Sequence, residues 1–450
     1  MTDAAVTNET GWDEAGTRRE LALHAAVRQG LVGAAEPVTG LLDATGIERS
    51  ARALHAAFAT PGVAITHTFA VKAASLVPVL ALLGECGLGA EVASPGELAL
   101  ARAAGIPAAA TVLDSPAKTV AELREALALG IAVNADNPQE LARIDGLLDG
   151  GPCAAPIGLR VNPQVGGGSI DAMSTATATS KFGVALRDPG ALDWVLAAYA
   201  RRPWLNRLHT HTGSQGVPLE LMAAGVLAAY ELAERINAAA GRQQVTVLDI
   251  GGGLPVNFGS DEVTPSFTDY ADLLRARVPG LFDGRYGLVT EFGRALLAKN
   301  GTVLARVEYA KSAGGRRIAV THAGAQVATR TVFTPGAWPL RVLALDGKGY
   351  PKGGEQAVQD VAGPCCFAGD LVATGRALPL LEAGDHVALL DTGAYYFSNH
   401  FAYNSLPRPA VWAFTAHADG TVDFAPVRAP QTLPELLAES GANLPPLRRG

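Results

Sequence analysis

The sequence predicts an α/β protein: a (β/α)8 barrel followed by a second, antiparallel β-barrel or sandwich domain. From about residue 62 to residue 295, short β-type runs alternate with Ala/Leu/Glu-rich runs of helical period, in roughly seven or eight repeats. After about residue 300 the β-type runs follow one another closely, broken by Gly and Pro. A chain of 450 residues is long enough to give each unit its own core.

The alternating region begins at "GVAITHTFAV" and ends at "YGLVTEF". Between them "AATVLD", "IAVNAD", "IGLRVN" and "VTVLDI" predict strands, and stretches such as "SPGELALARAAG" and "TVAELREALALG" predict helices. This repetition indicates βα units on a parallel sheet, with an active site at the carboxyl ends of the strands. A doubly wound open sheet is the alternative that the pattern allows.

The predicted domains follow from the change, at about residue 300, from alternating β-type and helical runs to closely spaced β-type runs. Residues 1–45 contain a helix, "TRRELALHAAVRQG", and a strand that joins the β domain. Residues 46–300 form the barrel, and residues 301–450 form the β domain, ending in a short helix and a tail within "QTLPELLAESGANLPPLRRG".

Composition limits the function. A net charge of −7 and a pI near 5.8 give no basic surface for nucleic acid or an anionic membrane. No apolar run reaches the roughly 18 residues of a spanning helix, and the N-terminus is polar and acidic, which predicts a soluble, cytoplasmic protein. The four cysteines are too irregularly spaced for a disulfide framework or a zinc site, so reduced thiols and no metal are expected.

Polar residues collect where the predicted barrel strands end. They are Lys72 after "ITHTFAV", His209 and His211 in "LNRLHTH", Gly251, Gly252 and Gly253 after "VTVLDI", and Glu291 and Arg294 in "YGLVTEFGR". Each alone has an ordinary explanation, such as a solvated strand end, a core histidine or a flexible linker.

Together these residues indicate a cofactor. Consecutive glycines expose backbone N–H groups that can bind a phosphate. An imidazole can stack on a flat ring, a carboxylate can pair with a protonated ring nitrogen, and a partly desolvated lysine amine can react with an aldehyde. Pyridoxal 5'-phosphate requires all four groups, so the sequence predicts this cofactor and a small amino-acid substrate.

At these residues the sequence resembles the fold-type III pyridoxal-phosphate-dependent decarboxylases, the family of diaminopimelate, ornithine and related decarboxylases. The matching barrel segments, in family order, are "FAVKA", "GLRVNP", "SKFG", "HTHTGSQ", "LDIGGG" and "EFGR". The resemblance implies that Lys72 is catalytic and binds the cofactor, that His211 stacks on its ring and that Glu291 pairs with its nitrogen. It also implies cofactor contacts from Glu91, Arg160, Ser214, Gly251, Gly252, Gly253 and Arg294. In "EFGR", Phe292 replaces the usual proline.

Two segments of the β domain also resemble the family. "GPCCFAGD" aligns Cys366 with the catalytic cysteine and Asp370 with the aspartate that closes the motif. "DTGAYYFSNHFAYNSLPRPA" aligns Tyr395 with a tyrosine that contacts the cofactor phosphate, and Tyr403 with an aromatic residue beside the substrate. The resemblance implies a homodimer whose active sites combine the barrel of one subunit with the cysteine segment of the other.

Departures from the family pattern bear on the substrate. Phe367 stands where diaminopimelate and ornithine decarboxylases carry an acidic residue for the distal amine, whereas Arg330, aligned with a residue that binds a distal carboxylate, is kept. Ala74 and Glu91 replace the usual asparagine and aspartate. This profile favours an acid-bearing conjugate such as the citryl-diaminopropionate of siderophore pathways, and meso-diaminopimelate, as in lysine biosynthesis, is the alternative.

Two other functions are the remaining alternatives. A pyridoxal-dependent racemase would pair an arginine with the ring nitrogen, so Glu291 argues against it. A non-catalytic regulatory homologue would have lost the lysine or the phosphate loop, and both are intact.

Overall fold

The structure, a computed structural model, describes residues 14–447. Its strands are β1 (Val38–Asp43), β2 (Ile65–Ala70), β3 (Gly89–Val92), β4 (Thr111–Leu113), β5 (Ala132–Ala135), β6 (Ile157–Asn162), β7 (Val184–Ala185), β8 (Leu205–Thr210), β9 (Val247–Asp249), β10 (Gly287–Phe292), β11 (Gly301–Ala313), β12 (Arg316–Thr321), β13 (Val342–Leu345), β14 (Gln356–Ala362), β15 (Leu371–Pro379), β16 (His386–Leu390), β17 (Val411–Ala416) and β18 (Val422–Arg428). Its α-helices are α1 (Ala15–Arg28), α2 (Ala44–Phe58), α3 (Val77–Glu85), α4 (Pro95–Ala103), α5 (Val120–Leu129), α6 (Pro138–Leu148), α7 (Ala191–Arg201), α8 (Leu219–Ala240), α9 (Phe267–Arg277), α10 (Arg294–Leu297), α11 (Ala325–Phe333) and α12 (Leu433–Glu439).

The chain divides into two compact units. The barrel unit consists of residues 47–257 and 262–297. The sheet unit consists of the described residues up to 46, residues 258–261 and the described residues from 298 onwards. Residues 1–13 of the predicted N-terminal segment and residues 448–450 of the predicted tail lie outside the described range.

Eight parallel strands form the barrel, in the order β5-β4-β3-β2-β10-β9-β8-β6. Pairing of β6 with β5, at Ile157 and Val133, closes the ring. The two-residue strand β7 pairs with β6 outside this circuit. Closure confirms the predicted (β/α)8 barrel and excludes the doubly wound open sheet.

Side-chain caps begin several helices of the barrel unit. Ser94, Thr119 and Asn137 each accept the backbone N–H of the residue three positions further on, at the first turns of α4, α5 and α6. That residue is a glutamate in all three helices. The cap satisfies an N–H that the helix leaves unpaired, and the acidic residue suits the positive end of the helix dipole.

A small apolar cluster marks the interior of the barrel. Its members are Val112, Ala132 and Val289, with the partly buried Val247 packed against them. Because side chains alternate along a strand, the residue two positions further on faces the same side. These residues are Asp114, Asn134, Asp249 and Glu291, and Asn134 Nδ2 donates to Asp249 Oδ2 at 3.0 Å. Polar groups therefore line the interior beyond the apolar cluster, toward the carboxyl ends of the strands.

The sheet unit contains the order β15-β14-β12-β11-β1-β17-β18, and β16 pairs with both β11 and β13. Helix α1 covers it through Ala22, Leu23 and Ala26, which belong to one buried cluster with Leu304 and Phe414. The predicted second β domain is confirmed. The prediction of an antiparallel sheet needs one refinement, because β1 pairs with β17, and β12 with β14, in parallel.

Strand β1 is one source of this mixed character, because it comes from the N-terminal segment and lies between β11 and β17. It runs antiparallel to the first and parallel to the second.

Among residues 14–447, the structure contains no helix with both the length and the apolar character that crossing a bilayer requires.

Candidate active site

Lys72 lies directly after β2, in a single 3-10 turn over Val71–Ala73. Its Nζ donates to Glu91 Oε2 at 2.5 Å, and the two side chains are 44% and 1% exposed. Glu91 lies on the neighbouring strand β3, where burial raises its pKa and the charge of Lys72 opposes the rise. The amine is thus oriented by a buried carboxyl group while remaining accessible.

Arg160, on β6, lies between a carboxylate and an aromatic ring. Its Nη1 donates to Asp114 Oδ2 at 3.0 Å, and its guanidinium carbon lies 4.4 Å from the ring centroid of Phe182. Burial would raise the pKa of Asp114, but electrostatic interaction with Arg160, with His209 and with two nearby lysines holds it well below its usual value. Sequence reasoning did not assign Asp114 to the site, and the structure adds it.

Glu291, on β10, is buried, and its Oε1 has no hydrogen-bond partner among residues 14–447. Its Oε2 lies 3.5 Å from His209 Nε2 and 4.0 Å from His211 Nδ1. Burial and repulsion from Glu91 and Asp114 raise the pKa of Glu291 well above its usual value. A buried carboxyl oxygen without a partner is unfavourable, and a cationic N–H from a ligand would relieve it.

The three glycines after β9 are required by close packing. A Cβ at Gly252 would lie 2.1 Å from the carbonyl oxygen of Glu291, and one at Gly253 would lie 1.8 Å from that of Gly213. Gly251 and Gly253 also have φ values of +66° and +95°, which residues with side chains rarely adopt. No other residue type fits this loop without a shift of its neighbours.

The ring of His211 is held by the same loop. Gly252 N–H donates to His211 Nδ1 at 3.2 Å, so Nδ1 carries the lone pair. Burial and then the charge of Arg160 lower the pKa of His211 well below its usual value, which keeps the ring neutral. Ser214 lies in the segment that follows, where its N–H donates to Met173 O at 3.0 Å. A neutral imidazole in a fixed orientation suits stacking on a flat ring.

Arg294 begins α10 and is buried. The preceding Gly293 packs against the turn that carries Lys72, since a Cβ there would lie 2.9 Å from Ala73 Cβ. Phe292, in place of the expected proline, is fully buried, with its ring centroid 5.1 Å from that of Phe267. The change to phenylalanine therefore acts through packing against α9 rather than on the site.

This set of groups fits pyridoxal phosphate. It provides an accessible amine, a buried carboxyl oxygen without a donor among the described residues, a neutral imidazole and a loop without side chains. The ligand atoms of His209, His211 and Glu291 also lie within 4.8 Å of one another, a spacing that a metal ion could use. Because the Gly252 N–H already uses the lone pair of His211 Nδ1, we assign that nitrogen to hydrogen bonding and not to metal binding.

Arg330 lies in α11 of the sheet unit, with its guanidinium carbon 4.4 Å from the ring centroid of Tyr395 and 5.1 Å from that of Trp338. Its Nη1 is buried and has no acceptor among the described residues. Tyr395 has a φ of +69°, an uncommon conformation for a residue with a side chain. A half-buried guanidinium with a buried, unused N–H is suited to a carboxylate ligand.

Asp370 organises the loop that carries the two adjacent cysteines. Its carboxylate accepts the N–H of Cys365 at 2.6 Å and the N–H of Ala325, the first residue of α11, at 2.6 Å. Cys365 is buried, which raises its pKa to about 11, whereas Cys366 is exposed. Cys366 N–H donates to Asn404 Oδ1 at 2.7 Å. Of the two thiols, that of Cys366 is therefore the accessible one, and its catalytic role stays a prediction.

Four aromatic residues, Phe333, Phe367, Phe401 and Tyr403, form what we call the four-ring cluster. Phe333 stacks on Phe367 with centroids 5.6 Å apart, and Phe401 stacks on Tyr403 at 5.5 Å. The two pairs meet edge to face. Phe333 and Tyr403 are 54% and 39% exposed, so the cluster presents an apolar surface. Phe333 and Phe401 were not predicted from the sequence.

Comparison with known proteins identifies the family of this chain. The profile of the family described as "Pyridoxal-dependent decarboxylase, pyridoxal binding domain" matches residues 44–298. Diaminopimelate decarboxylase of Pseudomonas aeruginosa is 34% identical over 349 residues, which is 76% of this chain and 79% of the relative. That of Aquifex aeolicus is 30% identical over 345 residues, with the same shares of the two chains.

Two solved structures are also similar. Diaminopimelate decarboxylase from Helicobacter pylori, complexed with L-lysine, has a TM-score of 0.80 at 26% identity and covers 94% of this chain and 100% of its own. Lysine/ornithine decarboxylase from Vibrio vulnificus, complexed with putrescine, has a TM-score of 0.71 at 25% identity and covers 88% and 98%. The chain therefore belongs to the fold-type III pyridoxal-phosphate-dependent decarboxylases and is an amino-acid decarboxylase that uses pyridoxal 5'-phosphate.

Proposed function

We propose that this enzyme removes the α-carboxylate of an amino acid whose side chain ends in a second carboxylate. The observation that carries the proposal is Arg330, whose buried Nη1 has no acceptor among residues 14–447. A hydrogen bond to a charged group contributes roughly 1.5 to 3 kcal/mol, so a carboxylate ligand would be strongly favoured there. meso-Diaminopimelate is the first candidate, because it is the substrate in the names of the curated relatives.

The second candidate is an acid-bearing conjugate without a free distal amine, such as citryl-diaminopropionate. Phe367 favours it, because this residue lies in the four-ring cluster instead of offering a carboxylate to an ammonium group. Losing one partner of a buried ion pair costs several kcal/mol, of which a cation–π contact recovers about 1 to 2. The names of the relatives favour the first candidate over this one.

Each residue of the site would have its own role in decarboxylation. Lys72 would hold the cofactor, Glu291 would accept a hydrogen bond from its ring nitrogen, and the glycine loop with Ser214 and Arg294 would bind its phosphate. When bound, pyridoxal phosphate supplies an electron sink for the electron pair that the departing carboxylate leaves on the α-carbon.

Side chains of this protein assist the bond cleavage and the proton transfer. The bond between the α-carbon and its carboxylate breaks, CO2 leaves, and one proton is added to the α-carbon. Lys72 Nζ or Cys366 Sγ donates that proton. Glu91, at 2.5 Å, keeps the amine of Lys72 oriented, and Arg330 orients the distal end of the substrate.

We further propose a cytoplasmic homodimer in which the cysteine loop and the four-ring cluster of one subunit complete the barrel site of the partner. The family resemblance supports this arrangement, and the exposed rings of Phe333 and Tyr403 provide an apolar surface for it. Sedimentation of the cofactor-loaded protein, together with activity recovered on mixing a Lys72 variant with a Cys366 variant, tests it.

The substrate is tested by CO2 release from meso-diaminopimelate, ornithine, lysine, arginine, glutamate and citryl-diaminopropionate. Turnover restricted to the substrates that carry a second carboxylate, which in this panel are diaminopimelate, glutamate and the citryl conjugate, is the expected result. Equal turnover of lysine would contradict the role given to Arg330. Loss of optical activity without CO2 release would instead identify a racemase.

Arg330→Gln is expected to lower kcat/KM for meso-diaminopimelate by about 10- to 150-fold, the equivalent of roughly 1.5 to 3 kcal/mol. Lysine is diaminopimelate without the distal carboxylate, so any residual activity on lysine should not fall. Arg317→Gln, at an exposed position of β12, is the matched control. A parallel loss on both substrates would indicate that Arg330 is structural.

Phe367→Glu is expected to raise kcat/KM for meso-diaminopimelate by about tenfold, because a new carboxylate could pair with the distal ammonium at roughly 1.4 kcal/mol. The same variant should disfavour the citryl conjugate, whose distal group is anionic. Phe367→Leu removes the ring without adding charge and separates the two effects. No gain on diaminopimelate with Phe367→Glu would remove Phe367 as a determinant of selectivity.

A further inference from the structure

His209, on β8, has a fully buried side chain that lies between two carboxyl groups. Its Nδ1 is 3.7 Å from Asp114 Oδ2, and its Nε2 is 3.5 Å from Glu291 Oε2. Both distances are longer than a hydrogen bond, and neither ring nitrogen has a hydrogen-bond partner in the part of the chain that the structure describes. The roles given above leave His209 without a function, and a buried polar ring of this kind requires an explanation.

Whether Asp114, His209 and Glu291 can form hydrogen bonds with one another depends on where their protons lie. A neutral imidazole offers one N–H and one lone pair. Arg160, at 3.0 Å, holds Asp114 as a carboxylate, so the N–H of the ring belongs on Nδ1. The Nε2 lone pair then faces Glu291, which suits a protonated carboxyl group but repels a carboxylate. A ring protonated on both nitrogens could donate to both carboxylates.

Before a ligand is present, the surroundings favour a neutral His209 beside a protonated Glu291. Burial, with Glu91 and Asp114 nearby, raises the pKa of Glu291 well above its usual value, and burial lowers the pKa of His209. A cationic N–H at Glu291 reverses the preference, because it stabilises the carboxylate. The other ionisable groups that influence His209 or Glu291 are Lys72, Glu91, Arg160, Arg207, His211 and Asp249.

We propose that Asp114, His209 and Glu291 form a buried proton relay in which a cationic ring nitrogen at Glu291 drives one proton from Glu291 to His209 Nε2. The O–H bond of the carboxyl group breaks and an N–H bond forms, so the proton stays within the protein. His209 is then a positioning residue, because it acts on the cofactor through Glu291. The inference rests on the role proposed for Glu291 at the ring nitrogen.

Calorimetric titration of pyridoxal phosphate into the cofactor-free, chelator-treated enzyme tests the relay. Repeating the titration in buffers of different ionisation enthalpy gives the number of protons exchanged with solvent. His209→Asn should release about one more proton per cofactor bound than the wild type, because the proton of Glu291 then has no internal acceptor. Proton changes at Lys72 and at the phosphate are common to both proteins and cancel in the difference.

His67→Asn is the matched control. His67 is also buried in the barrel unit, its Nδ1 lies 2.8 Å from Thr290 Oγ1, and burial lowers its pKa to about 4, so it is neutral at pH 7. Its substitution should leave the proton count unchanged. Asp114→Asn should release additional protons as His209→Asn does, because the charged ring loses its counter-ion.

Equal proton counts for the wild type, His209→Asn and Asp114→Asn would overturn the relay. Where a variant does not fold, as judged by circular dichroism, 15N NMR of the wild type replaces it. One imidazole should then change from neutral to charged when the cofactor is added, and no change in any histidine would be equally decisive against the proposal. No substrate enters these measurements, so their outcome is independent of the assignment of Arg330.

Discussion

Lys72→Ala should abolish the absorbance band near about 420 nm that pyridoxal phosphate shows when it is bound through a lysine amine. The same change should lower kcat by at least about 10³-fold, because it removes both the group that holds the cofactor and a candidate proton donor. The expectation follows from the position of the amine, which projects from the turn after β2 and is fixed at 2.5 Å from Glu91.

Lys311→Ala is the matched control, because Lys311 is an exposed lysine on β11 of the sheet unit. It should keep the band, the kcat and the melting temperature of the wild type. Removal of Lys72 also leaves Glu91 buried without its cation, so the melting temperature must be followed alongside the spectrum. A folded Lys72→Ala protein with an unchanged band would exclude Lys72 from cofactor binding.

The barrel could be predicted from the sequence because its signal repeats. Each β-type run between "GVAITHTFAV" and "YGLVTEF" is followed by a helical run, and only a few sheet topologies accommodate that alternation. The parallel pairings of β1 with β17 and of β12 with β14 could not be predicted. They join segments far apart in the chain, and local periodicity carries no information about such partners.

The site was predictable to the extent that its residues fall at strand ends in recognisable motifs. Asp114 also ends a quoted run, "AATVLD", but one aspartate after a strand is indistinguishable from a solvated strand end. Its significance depends on Arg160, 46 residues away in the sequence. Alternation from the apolar Val112 is the signal that could have placed Asp114 inside the barrel.

The four-ring cluster shows the same limit. Phe367 and Tyr403 were assigned through motifs, whereas Phe333 and Phe401 join them only through tertiary contacts. Asp370 was recognised as the end of a motif, yet its hydrogen bonds to Cys365 and Ala325 reveal that it links the cysteine loop to the helix that carries Arg330. Motifs identify residues, and the fold determines which of them act together.

Substitution of Gly252, the middle glycine of "LDIGGG", should affect both stability and activity. Gly252→Ala should lower the melting temperature by about 4 to 12 °C, the equivalent of roughly 2 to 3 kcal/mol of overpacking. It should also reduce kcat by about 10²-fold, because the added Cβ would lie 2.1 Å from the carbonyl oxygen of Glu291 and displace the loop, β10 or both. Gly252 does not have a positive φ, so this substitution tests close packing alone, without backbone strain.

Gly146→Ala provides the control that makes this result specific. Gly146 lies within α6 of the same unit, no atom lies within 4 Å of the position its Cβ would take, and alanine there should stabilise the helix by up to about 1 kcal/mol. Opposite shifts of melting temperature in the two variants would show that the cost arises where the loop meets Glu291. If Gly252→Ala kept the wild-type melting temperature and cofactor affinity, the loop would have room for a side chain. Gly252 would then have to be explained by phosphate binding through its N–H group alone, and that N–H already donates to His211 Nδ1.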